Sequence, residues 1–86
     1  MEYGKYIIIE QNGVDLAIMF DMILSHDNIG YGKPVISAGF FQVSAKANEN
    51  DSQDIDVYVF GESTSLQIKS RDEDARILKK VLRKEW

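Results

Sequence analysis

The sequence predicts an α+β fold in which an antiparallel sheet of about five strands packs one face against a C-terminal helix. Three observations support this prediction: an Asn-Gly pair inside a β-rich stretch, a second alternating stretch over residues 55–69, and helical apolar spacing over residues 70–86. We expect two strands, a short helical or loop crossing, three strands and then the helix. Because 86 residues support only one core, we expect a single domain over residues 1–86.

The first hairpin has the strongest local signal. Asn12-Gly13 lies between two β-rich runs and tolerates the positive φ angles of a type I′ turn. With Gln11 paired to Val14, one face of the hairpin is continuously apolar and is predicted to be core: Ile7, Ile9, Leu16 and Ile18. The opposite face carries residues that we expect to be covered only in part: Tyr6, Ile8, Ala17, Met19, Glu10 and Asp15.

A second hairpin is predicted between Ile55–Phe60 and Ser63–Lys69, with its turn at Gly61-Glu62. In this register, three apolar residues of the first strand meet three residues of the second: Ile55, Val57 and Val59 face Ile68, Leu66 and Thr64. The reverse face of the first strand carries two acids and two aromatic residues: Asp54, Asp56, Tyr58 and Phe60.

Between the hairpins, Pro34–Ala45 is predicted to form one long strand. Gly39 within it indicates a bulge or a close backbone approach. Before this strand, Asp21 is predicted to cap a short helical turn through Met22–Leu24. Residues 46–54 are strongly polar, so we expect an exposed loop there.

The C-terminal helix is predicted from its cap and its apolar stripe. Ser70 at the N-cap and Glu73 three positions later form a capping box. Basic residues in the last turns complement the helix dipole. The stripe has helical spacing and is expected to lie against the sheet: Ala75, Ile77, Leu78, Val81 and Leu82.

Composition argues against several classes of function. The formal net charge of -4 disfavours general affinity for nucleic-acid backbones or anionic lipid. The charge is uneven, because residues 1–69 carry a net of -6 and residues 70–86 a net of +2. There is no cysteine, so disulfides and thiolate metal sites are excluded and a cytoplasmic location is expected. The N-terminus lacks the features of a signal or membrane segment.

His26 is the candidate for acid–base chemistry, because it is the one histidine and Asp27 follows it. A lone loop histidine is more often structural, so we expect no catalytic residue. Asn48–Asp56 is rich in oxygen ligands but lacks the glycine and the glutamate of a calcium loop. Gly30–Lys33 lacks the spacing of a phosphate loop. We therefore predict neither a metal site nor a cofactor.

The surplus of apolar and aromatic residues predicts a surface for a protein partner. Tyr6 and Met19 lie on one predicted outer face, and Tyr58 and Phe60 lie on another. One helix covers only one face of a sheet, and interfaces are enriched in aromatic residues and methionine. The partner would be a second copy of the chain or a foreign protein. Alternatively, residues 21–34 fold over the first of these faces and bury it.

Three segments resemble short uncharacterised proteins from phage and prophage genomes: Tyr6–Val14, Val35–Phe41 and Gly61–Ala75. The resemblance includes no motif with a known role. It implies a small accessory protein that binds and inhibits a host component such as an anti-phage defence system. Small acidic inhibitors often block a basic, nucleic-acid-binding surface. The acids that would make such contacts are Glu49, Asp51, Asp54 and Asp56, together with Glu10 and Asp15.

These observations favour a non-enzymatic protein-binding module that contacts neither nucleic acid nor membrane directly. Two alternatives stay open. The first is a dimeric binder of a nucleotide or metabolite, with a pocket between subunits near Tyr31, Lys33 and His26. The second is a small enzyme that uses His26 and Asp27, which requires turnover that depends on His26.

Overall fold

The computed structural model describes residues 2–47 and 53–85, and its fold is α+β. The elements in chain order are β1 (Tyr3–Gln11), β2 (Val14–Phe20), α1 (His26–Gly30), β3 (Val35–Ala47), β4 (Gln53–Phe60), β5 (Glu62–Ser63), β6 (Ile68–Lys69) and α2 (Asp74–Glu85). Within these residues a four-stranded antiparallel sheet has the order β2-β1-β3-β4, and β5 pairs with β6 in a small second sheet. The helix α2 packs against the larger sheet, as the sequence predicts.

The first hairpin is confirmed residue by residue. Gln11 pairs with Val14, and the register continues along both strands to Lys5 and Phe20. Asn12 has a φ of 54° and Gly13 a φ of 78°, the left-handed pair that a type I′ turn needs. Local turn chemistry therefore determines this part of the fold.

The second predicted hairpin is wrong. The strand β4 pairs with β3 along its whole length, from Ala47 opposite Gln53 to Phe40 opposite Phe60. Residues 64–67 form a turn, and Gln67 has a φ of 57°, so this segment cannot continue as a long strand. The long strand β3 offers eight pairing positions, whereas β5 and β6 offer two each. The pairing of β4 with the strand before it therefore forms a longer ladder than the predicted pairing with the segment after it.

Both faces of the sheet are covered around β1. The cluster beneath α2 contains Tyr6, Ile8, Phe41 and Leu78, all buried. The cluster on the opposite face contains Ile7, Ile9, Phe20 and Ala38, packed by Ile29 of α1 and by Leu66 and Ile68. The alternative in which residues 21–34 cover the Tyr6 face is wrong, since α2 covers that face and α1 packs on the other. Leu16, predicted to be core, is 41% exposed because β2 is an edge strand.

Both helices begin later than predicted. The helix α1 begins at His26, while Asp21 closes the preceding turn by accepting the Ile23 amide on Oδ1 at 3.0 Å. The helix α2 begins at Asp74 rather than after Ser70. The Ser70 hydroxyl donates instead to the Gly61 carbonyl at 2.8 Å, so it ties the helix entry to the end of β4.

Gly39 allows a close backbone approach. A Cβ at this position would lie 2.7 Å from the Phe60 carbonyl oxygen and 3.0 Å from the Ser70 Cβ. The irregularity in the β1–β3 ladder falls elsewhere, between Ile8 and Ile9. Of the two interpretations of this glycine, the close approach is the one that the structure supports.

Ser37→Ala is expected to leave stability unchanged or to raise it by up to about 1 kcal/mol. Ser37 is fully buried, and its Oγ has no hydrogen-bond partner among the described residues, so alanine removes an uncompensated polar group. The control is Ser63→Ala, because Ser63 is equally buried but its Oγ accepts the Leu66 amide at 3.2 Å. Thermal melts should place Ser37→Ala at or above the parent and Ser63→Ala below it; the reverse order would contradict this assignment.

Candidate functional site

The residues predicted to bind a partner do not form a single surface. Tyr6 lies in the core with no exposed area, so the prediction that it is a surface residue is corrected. Met19 is half-buried and packs against the cluster beneath α2. Tyr58 and Phe60 are 56% and 53% exposed. Of these four predicted contact residues, Tyr58 and Phe60 are therefore the ones that remain exposed.

Tyr6 has a structural role that its position in the sequence conceals. Its hydroxyl donates to Asp74 Oδ2 at 2.6 Å, across a sequence separation of 68 residues. The buried Asp74 carboxylate also accepts the Arg71 backbone amide and Arg71 Nε, each at 2.9 Å. Burial, followed by the neighbouring Asp74 carboxylate, raises the pKa of the Tyr6 hydroxyl far above its ordinary value. This network joins β1 to the start of α2.

The register of the sheet assembles an aromatic surface around Tyr58 and Phe60. Two rows cross the sheet here: Tyr3 and Tyr58 each pair with Gln42, while Lys5 and Phe60 each pair with Phe40. Directly paired residues lie on the same side of a sheet, and side chains two positions apart share that side. We call the set the open aromatic face: Tyr3, Lys5, Phe40, Gln42, Tyr58 and Phe60.

The open aromatic face is the uncovered continuation of a buried face. Along β1, Tyr3 and Lys5 share the side of Ile7 and Ile9, which α1 and residues 61–69 cover. The cover ends at His26, whose ring meets Phe20 and Phe40 edge-on at centroid distances of 5.6 and 5.5 Å. The residues of α1 and of segment 61–69 therefore do not extend over this face as far as the β4 edge. Tyr3 is consequently 65% exposed.

Packing holds part of the open aromatic face rigid. The Phe40 and Phe60 rings stack with centroids 5.8 Å apart and an interplanar angle of 20°. Phe40 is half-buried, so it supports Phe60 from within the sheet. Rigid aromatic rings lose little conformational entropy when a partner covers them. The face is therefore suited to binding without rearrangement.

The predicted acidic contacts divide among three places. Asp56 pairs with Ser44, and Asp54 pairs with Lys46. These two pairs lie two and four positions along β4 from the pair that Tyr58 forms with Gln42. Glu49 and Asp51 lie outside the described residues. Glu10 and Asp15 pair with each other near the turn of the first hairpin, roughly 20 Å along β1 from Tyr3. Since they also lie on the opposite side of the sheet, they do not join the open aromatic face.

His26 is enclosed rather than presented to solvent. It is 5% exposed, and its Nε2 donates to the Gly39 carbonyl at 2.8 Å, which fixes the proton on that nitrogen. Asp27 is exposed, and a hydrogen bond from Ser25 lowers the pKa of its carboxyl. The two side chains, adjacent in sequence, therefore have separate environments.

The residues proposed for a small-ligand pocket also have separate roles. Tyr31 is 87% exposed and projects into solvent. Lys33 donates from Nζ to the Ile29 carbonyl at 2.7 Å, which caps the C-terminal end of α1. His26 faces the core, so these three residues do not share one pocket wall.

Over residues 2–47 and 53–85, no three histidine or acidic side chains are grouped so that they could hold a metal ion. Most of the acidic stretch Asn48–Asp56 lies outside the part of the chain described. No helix in the described ranges is long and apolar enough to cross a bilayer.

Sequence reasoning assigned two of the six residues of the open aromatic face, Tyr58 and Phe60, to a contact surface and missed the other four. Tyr3, Lys5 and Gln42 reach it only through the β1–β3 and β3–β4 pairings, which no local signal reveals. The alternation along β1 was the available clue, because Tyr3 and Lys5 have the same parity as Ile7.

Comparison with protein-family models, curated proteins and solved structures finds no match to this chain.

Proposed function

We propose that this chain is a non-enzymatic protein-binding module that captures its partner on the open aromatic face. The observation that supports the proposal is the exposure of three aromatic side chains on one face of the sheet, Tyr3 on β1 and Tyr58 and Phe60 on β4. Contiguous exposed apolar surface marks interaction sites, and buried tyrosines are frequent anchors of binding energy.

The partner is proposed to present basic side chains. Asp56 lies on β4 two positions before Tyr58, and residues 1–69 carry a net charge of -6. Guanidinium and ammonium groups bind over aromatic rings and are attracted by a negative surface. An arginine-rich or lysine-rich protein surface would place its cations over the exposed rings and beside Asp56.

The resemblance to phage and prophage proteins supports a more specific form of this proposal. In that form the partner is a cytoplasmic host protein, and the chain blocks its basic, nucleic-acid-binding surface. The acidic body of the protein would compete with nucleic acid for the same cations. A dimer formed through the same face is the competing form of this function.

The test is capture from a candidate host lysate with the parent chain and two variants. Tyr3→Ala combined with Tyr58→Ala removes the two exposed tyrosines that flank Gln42 and leaves the Phe40–Phe60 stack in place. Tyr31→Ala is the matched control, because Tyr31 is 87% exposed and lies off the face. We expect parent and control to capture the same protein, and the double variant to bind it at least about tenfold more weakly.

Two outcomes would count against the proposal. Equal capture by the parent and the double variant would place the binding surface elsewhere. Capture of nothing above background, combined with a parent that sediments as a dimer and a double variant that sediments as a monomer, would assign the open aromatic face to self-association. Mass spectrometry of the captured protein would identify the partner and show whether its surface is basic.

A further inference from the structure

A second surface lies at the opposite edge of the sheet, where β2 runs beside α2. A groove of about 760 Å³ opens there. We call it the edge groove; its lining consists of Gly13, Val14, Asp15, Leu16 and Ala17 from the first hairpin and Ile77, Lys80, Val81 and Arg83 from α2. None of these residues belongs to the open aromatic face.

The strand β2 presents backbone hydrogen-bonding groups along this groove. In the described sheet β2 is an edge strand whose one neighbour is β1. The Glu10 amide donates to the Pro34 carbonyl at 3.1 Å, away from β2, so Glu10 and Asp15 form a non-hydrogen-bonded pair. By the same alternation, Asp15, Ala17 and Met19 direct their N–H and C=O groups toward the open edge.

Apolar side chains flank this edge on both sides of the sheet. Val14 and Leu16 are 55% and 41% exposed, and on the other side Ile77 and Val81 of α2 are only partly buried. An exposed apolar edge strand invites pairing with another chain unless charge or a covering segment protects it. A strand added beside β2 would cover Val14 and Leu16 on one side of the sheet and Ile77 and Val81 on the other.

The charged side chains of the edge groove determine which kind of peptide strand is attracted to it. Its lining contains one acid, Asp15, which lies 3.8 Å from Arg71 Nη2. The helix supplies Lys80 and Arg83 to the same lining. An adjoining hollow next to Asp15 and Lys80 adds one charge of each sign, from Arg76 and Glu73. Basic side chains therefore outnumber acids at this site, although the whole chain carries a net charge of -4.

We propose that the edge groove binds an extended acidic peptide segment, which adds a strand to the sheet beside β2 and points its carboxylates at Lys80. Strand addition takes affinity from backbone hydrogen bonds and specificity from alternate side chains. Carboxylates on alternate residues fall on the α2 side, and β-branched residues between them fall on the Val14 and Leu16 side. The ligand class is a short β-forming stretch with an acid at every second position.

The probe is a synthetic peptide that alternates glutamate with valine or threonine, capped at both ends and titrated into the full ¹⁵N-labelled chain. We expect chemical-shift changes along residues 13–17 and 77–83 and slower hydrogen exchange at the amides of Asp15, Ala17 and Met19. A peptide with lysine in place of glutamate tests the charge. A peptide N-methylated at alternate residues tests the backbone pairing. Both are expected to bind at least about tenfold more weakly.

The protein variants are matched in charge. Lys80→Glu reverses one cation of the groove lining, and Lys69→Glu makes the same change on β6 outside the lining. We expect Lys80→Glu to weaken glutamate-peptide binding at least about tenfold and Lys69→Glu to leave it near the parent value. Equal effects of the two variants would overturn the proposal.

Three further results would also overturn it. Shift changes confined to the open aromatic face would place the peptide elsewhere. Equal binding of the glutamate and lysine peptides would remove the charge argument. Protection of the β2 amides without peptide, together with a dimer in sedimentation, would make a second copy the occupant. The capture experiment on Tyr3 and Tyr58 is independent of all of these outcomes.

Discussion

Asp74→Ala is expected to lower the free energy of unfolding by about 2 to 4 kcal/mol, because it removes the buried acceptor of three hydrogen bonds. The Asp74 carboxylate is fully buried, and Arg71 Nη2 lies 2.8 Å from its Oδ1. Alanine would leave the buried Tyr6 hydroxyl without its acceptor. Since a domain has only about 5 to 15 kcal/mol of stability, we expect a much lower urea midpoint.

The neighbouring residue provides the control for this prediction. The Glu73 carboxylate lies 3.6 Å from Arg71 Nη1, but its side chain is 64% exposed. Exposed pairs contribute at most about 1 kcal/mol, so Glu73→Ala should unfold close to the parent midpoint. Asp74→Asn keeps the shape and one acceptor oxygen and should fall between the two. If Asp74→Ala and Glu73→Ala unfold at the same urea concentration, the buried network does not stabilise the fold in this way.

The parts of the fold that depend on local chemistry could be predicted from the sequence. Asn12-Gly13 determines the first hairpin and its register, because few residue pairs tolerate two consecutive positive φ angles. The C-terminal helix follows from its apolar spacing, and Leu78 is fully buried as that spacing predicts. In both cases the deciding interactions lie within a few residues of each other.

The parts that depend on distant pairing could not be predicted. Gly61 suggested that β4 pairs with the segment after it, yet β4 pairs with β3, the strand before it. A capping box predicted that α2 begins after Ser70, but the Ser70 hydroxyl bonds to Gly61, nine residues upstream. The local pattern places Tyr6 on an outer face, and its hydrogen bond to Asp74 follows only from the folded structure. Each of these contacts competes with a local alternative of similar quality.

The candidate site was predicted in part for the same reason. Tyr58 is exposed as the alternation in β4 indicates, because that alternation follows from the strand itself. Gln42 and Tyr3 join it only once the strand order β1-β3-β4 is known. The surface that supports the proposed function is thus a product of topology, and composition alone gave only its aromatic character.

The contribution of Tyr6 to stability is expected to disappear in alkaline solution. The hydroxyl donates to a buried carboxylate, so the folded state holds its proton more tightly than the unfolded state and the folded pKa is raised. A tyrosine in an unfolded chain has a pKa of about 10. Below that pH the contribution is fully present. Above it the unfolded state loses the proton first, and the free energy of unfolding falls by about 1.4 kcal/mol per pH unit from this group.

Tyr6→Phe isolates this effect from the titration of other groups. The variant keeps the ring in the core but lacks the hydroxyl, and it should be about 1 to 3 kcal/mol less stable than the parent near neutral pH. The two chains differ only in this hydroxyl, so the pH effects that they share cancel in the difference. Urea unfolding from about pH 8 to about pH 12 should therefore show the difference constant at first and shrinking above about pH 10. Two curves that stay parallel over the whole range would mean that the Tyr6 proton is not held by Asp74.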